Sequence, residues 1–73
     1  SYLFKKEIGK TFIQYVHDYR IMKARELLLK HRTLPVQTIG SQVGYENPQH
    51  FMKVFKKIAG CTPGSFRDNN RHS

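Results

Sequence analysis

Apolar positions recur three and four apart through most of this chain, and they never alternate as a strand requires. Over residues 11–31, Ile13, Val16, Ile21, Ala24, Leu27 and Leu28 fall on one arc of a helical wheel. One long helix is the expectation. Thr11 is placed to cap its start, and Gly9 just before it can end a preceding helix. Lys30, His31 and Arg32 close the helix, where cations meet the negative end of the macrodipole. Pro35 then stops it, because its ring and missing N–H break the ladder. His17 and Arg20 fall inside the apolar arc and are expected at its edge, or on a polar partner.

A shorter helix fits residues 35–43, with Pro35 in the first turn, where a missing N–H costs nothing. Val36, Ile39 and Val43 share its apolar face, and Gly44 ends it. A third helix runs from Pro48 to about Ala59, signalled by Asn47 as cap and Pro48 as first residue. Its buried face is expected to be Phe51, Val54, Phe55, Ile58 and Ala59, with Gly60 as the stop. Thr62 and Pro63 repeat the cap-then-proline order, so a last short helix carries Phe66. From Asp68 the chain turns polar and is expected to fray. The class is all-α.

Helix, turn at 44–46, helix is helix-turn-helix grammar. Gly40 supplies the small residue that lets two helices cross closely, and Tyr45 can plug the space between them. On the third helix Gln49, His50, Lys53, Lys56 and Lys57 occupy the arc opposite the core, and none is acidic. A face that is merely solvated usually mixes signs, with Glu placed to pair with Lys. A face of donors suits a major groove, where the first residues reach base edges and flanking cations meet phosphates. A lysine face that only solubilises is the plainer account.

Charge sharpens the choice of partner. Thirteen Lys and Arg against five Asp and Glu give +8, an excess that seeks anions such as nucleic acid or an anionic membrane. No apolar run approaches the roughly 20 residues of a membrane span. With Cys61 as the only cysteine, no disulfide forms within the chain, and a reducing, cytoplasmic setting is expected. Cys61, His50 and His17 lack a metal spacing, and no nucleophile–base pattern or phosphate-cradling loop is present. We expect no metal, no cofactor and no enzyme.

The chain also repeats itself: FKKEIGKT at 4–11 returns as FKKIAGCT at 55–62. Each copy reads as the end of a basic helix, a glycine stop and a threonine cap. These segments, with RIMKARELLL at 20–29 and IGSQVGYENPQHFMKVFKKIAGCTPGSFR at 39–67, resemble the DNA-binding domain of the AraC/XylS family of bacterial transcription regulators. The resemblance spans about residues 3–67. It implies two helix-turn-helix units joined by a linker helix, here the linker plus one complete unit in a homeodomain-like three-helix arrangement. Only Ser1, Tyr2 and Leu3 precede Phe4, and Tyr2 stands where the family usually has arginine. The expected organisation is a remnant of the first recognition helix at 1–10, a linker helix at 11–32, the second unit at 33–67 and a frayed tail at 68–73. Gly40 stands where alanine is usual, which should loosen that helix by about 1 kcal/mol.

Carried onto this chain, the resemblance implies base contacts from Pro48, Gln49, His50 and Lys53. Gln49 suits adenine, Lys53 the O6 or N7 of guanine, and Pro48 a thymine methyl. Phosphate contacts fall to Lys56 and Lys57, to Lys5 and Lys6 in the first copy, to Asn47 beside its capping role, and to Arg67. Glu46 is the other partner expected for Arg67. Double-stranded DNA is the partner, RNA polymerase a further one, and no membrane is involved; the regulator's sensing domain lies outside this chain. The alternative is a helical protein-interaction module that self-associates through exposed apolar faces.

Overall fold

The computed structural model describes residues 9–70. Four helices account for them: α1 (Phe12–Lys30), α2 (Val36–Gln42), α3 (Pro48–Ala59) and α4 (Pro63–Asn69). No strand occurs among the described residues. The remnant expected at 1–10 lies almost wholly outside them, and Lys5 and Lys6 with it.

Local chemistry sets the helix ends. Thr11 forms a full capping box: its hydroxyl accepts from the Gln14 N–H, and the Gln14 side chain accepts from the Thr11 N–H, both at 3.1 Å. Asn47 Oδ1 accepts from the N–H groups of Gln49 (2.8 Å) and His50 (3.3 Å), so two of the orphan donors of α3 are satisfied. Thr62 caps α4 through Ser65 N–H at 3.2 Å. Gly44 and Gly60 take φ of 106° and 88°, the left-handed region that glycine enters without Cβ strain. One boundary moves: Pro35 is the cap of α2 rather than its first residue, and Val43 lies just past its end.

The core draws Ile21, Ala24 and Leu28 from α1, Ile39 from α2, Tyr45 from the turn, and Phe51 and Phe55 from α3. Phe66 of α4 closes it edge-on to Phe55, with ring centroids 5.8 Å apart. Three expected core residues fall outside, one of them Val16, which is half-buried and not packed against the cluster. Burial along α1 is complete only at Ile21, Ala24 and Leu28, and Ile13 stands 68% exposed. Ile58 is 38% exposed. It borders a cavity of about 420 Å³ between the start of α1 and the end of α3, lined also by Gln14, His17, Asp18 and Lys57.

The expected fraying at Asp68 is also corrected. α4 continues to Asn69, and Arg32 Nη2 donates to the Asn70 carbonyl at 2.6 Å. Asn70 Nδ2 in turn donates to the Phe66 carbonyl at 2.7 Å. Residues 71–73 lie outside the described part.

Gly40 is where α2 and α3 press together. A Cβ built there would lie 2.7 Å from Phe51 Cδ2, far inside van der Waals contact. Alanine is the better helix former by about 1 kcal/mol. Displacing a packed aromatic ring costs about 1–3 kcal/mol. The Gly40→Ala variant is therefore expected to be less stable, by about 1 kcal/mol net. A rise in its urea midpoint would show that Phe51 yields freely.

Candidate nucleic-acid interface

α3 is anchored at its first turn and free along one side. Its anchor is Tyr45, 3% exposed, which the sequence placed correctly as a plug. The Tyr45 ring meets Phe51 at 5.6 Å between centroids and stacks on His17 of α1 at 5.7 Å and 18°. The Tyr45 hydroxyl and His17 Nδ1 share a 2.6 Å hydrogen bond whose direction follows the imidazole tautomer. The Arg20 guanidinium lies 5.4 Å from the Tyr45 ring centroid. Burial pushes the phenol above its ordinary value of 10.0 against the opposing pull of Arg20, so the hydroxyl keeps its proton at neutral pH. His17 and Arg20 thus find the partner expected of them, in the turn 28 residues after His17.

Along the free side, Gln49, Lys53 and Lys56 are exposed at spacings of four and three, so they line up over two turns. The ion pairs among the described residues are Lys10–Asp18 and Lys23–Glu26, neither of which involves α3. Lys53, Lys56 and Lys57 are all exposed and, among the described residues, have no carboxylate partner. Pro48 is exposed at the head of the helix. Asn47 commits its oxygen to capping.

The other two members of the expected arc, also exposed, sit on its flank toward α1. The exposed His50 packs its ring edge against Tyr45 (5.4 Å) and His17 (6.1 Å), on the flank toward α1. Lys57 borders the cavity between α1 and α3.

Arg67 needs a correction. Its Nη2 donates to the carbonyls of Leu34 (2.6 Å) and His31 (3.3 Å), pinning the loop after α1 instead of meeting Glu46. Backbone oxygens left over at the end of a helix attract such a donor. We leave Arg67 out of the interface proposed below.

Two features escaped the sequence reading. The contacts of His17 with Tyr45 and His50 join residues far apart in the chain, and nothing local announces them. Met52, 43% exposed, lies on α3 between Gln49 and Lys56. Its position three residues after Gln49 and four before Lys56 was the available signal.

Among the described residues, no helix is long and apolar enough to cross a membrane. A family described as a helix-turn-helix domain matches residues 1–69. The HTH-type transcriptional regulator YtdP of Bacillus subtilis (strain 168) is 39% identical over 71 residues, 97% of this chain and 9% of that protein. The arabinose operon regulatory protein of Salmonella typhimurium is 37% identical over 67 residues, 92% of this chain and 24% of that protein. Among solved structures, the C-terminal domain of AraT, a response regulator from Geobacillus stearothermophilus, superposes with a TM-score of 0.92 at 37% identity. That match covers 96% of this chain and 57% of the AraT chain. The chain thus spans a small part of the curated relatives it matches.

Proposed function

Because the chain belongs to the AraC/XylS family of DNA-binding transcription regulators, we propose that it reads a specific DNA sequence in the cytoplasm by laying α3 in the major groove. The observation that carries this is the line of Gln49, Lys53 and Lys56: exposed, unpaired with any acid among the described residues, and projecting from a helix whose other side is fully buried at Phe51 and Phe55. A helix fixed from behind loses little freedom when its front meets a ligand. Gln49 pairs with the N6 and N7 of adenine and Lys53 with the O6 or N7 of guanine, while Pro48 touches a thymine methyl. Lys56 meets phosphate and fixes register, with Lys57 and His50 at the flank toward α1. Lys5, Lys6 and Asn47 are further phosphate contacts in this reading.

The test is a selection of bound duplexes from a random pool. The wild-type chain should enrich a short motif, and Gln49→Ala should relax one position of it by about 1–3 kcal/mol. Recovery of unbiased sequences by the wild type would overturn the proposal. A chain that bound no duplex but assembled into oligomers would support a protein-interaction module instead.

A further inference from the structure

Gln49, Met52, Lys53 and Lys56 stand at i, i+3, i+4 and i+7 on α3, the spacing that puts four residues on one face. Three of them offer polar groups. Met52 offers an apolar thioether, yet 43% of its surface stays in water. Beside it a shallow groove of about 300 Å³ is bordered by Val36, Pro48 and Phe51, so the apolar surface continues past the sulfur. One helical turn advances about 5.4 Å. Stacked base pairs advance about 3.4 Å. A residue one turn beyond Gln49 therefore meets the duplex one to two base steps away from the base that Gln49 meets.

The apolar feature a base pair shows in the major groove is the methyl group on C5 of thymine. We infer that Met52 is a specificity-determining residue of this face, closing over the 5-methyl group of a pyrimidine one to two steps from the base paired with Gln49. The inference rests on the DNA-reading proposal above and adds to it a contact that needs no hydrogen bond. A flexible, polarisable thioether suits the role, because it shapes itself to a methyl group without demanding strict geometry. Thymine and 5-methylcytosine both carry that group.

The experiment replaces each thymine of the selected duplex by deoxyuracil in turn, removing the methyl and nothing else, with affinities read by fluorescence anisotropy. At the thymine facing Met52, apart from the one Pro48 touches, the wild-type chain should lose about fourfold, the weight of one methyl-sized group taken out of water. Met52→Ala and Met52→Gln should bind the thymine and uracil duplexes at that position equally. Thermal melting checks that both variants fold; two substitutions of different shape guard against a single misfolded one. Cytosine at the same position should bind more tightly once it is 5-methylated, which separates the methyl group from the rest of thymine. The inference is overturned if no thymine shows the uracil penalty, or if Met52→Ala keeps every penalty in full. Failure to bind any duplex sinks the DNA-reading proposal itself, a result distinct from tight binding that ignores the methyl.

Discussion

Phe51→Ala should destabilise the chain by about 3–5 kcal/mol, the usual cost of emptying a fully buried aromatic site. Phe51 is 0% exposed and packs against α2, the turn and its own helix. Its ring fills the space left by the missing side chain of Gly40 and lies 5.6 Å from Tyr45 and 5.8 Å from Phe55. Domains hold about 0.05–0.15 kcal/mol of stability per residue. For 73 residues that is about 4–11 kcal/mol, so one substitution removes a large share. Urea denaturation followed by circular dichroism would show it. Met52→Ala, the next residue, about 100° round the helix and exposed, should stay within about 0.5 kcal/mol of wild type. Equal losses at the two positions would mean that α3 is not buried on one side as described.

Neutralising the lysines of α3 should leave stability alone and change the salt response. Each phosphate contact contributes about 0.9 to the slope of log affinity against log salt. Lys56→Ala should thus lower the slope by about 0.9, and Lys56→Ala with Lys57→Ala by about 1.8. Affinity should fall evenly across duplex sequences, because phosphates carry no base information. Lys56 stands on the open face and Lys57 at the border of the cavity with α1, which makes the single variant the cleaner reading. An unchanged slope in the double variant would remove both lysines from the interface.

What was legible in the sequence was mostly local. Thr11, Asn47 and Thr62 each bond to a backbone N–H two or three residues on, so the residue type and its neighbours decide the geometry. The left-handed glycines at 44 and 60 and the buried Tyr45 between helices follow the same logic. Periodicity also identified the buried side of each long helix. It does not say where along that side burial stops, which is why Ile13, Val16 and Ile58 read as core and are not. Arg67 and Arg32 show the other limit. Their partners lie 33 and 38 residues away, at Leu34 and Asn70, and a guanidinium bound to backbone oxygen leaves no trace in composition. His50 fell in the outward arc by angle, yet its ring leans toward a tyrosine and a histidine that only the fold brings near.

Amide chemical shifts followed by NMR, as the selected duplex is titrated into labelled protein, ask most directly which surface meets DNA. The account predicts that the signals of Gln49, Met52, Lys53 and Lys56 move first and farthest, while Tyr19 and Met22 on the exposed side of α1 hold still. Large shifts at Tyr19 and Met22, with α3 unmoved, would contradict it.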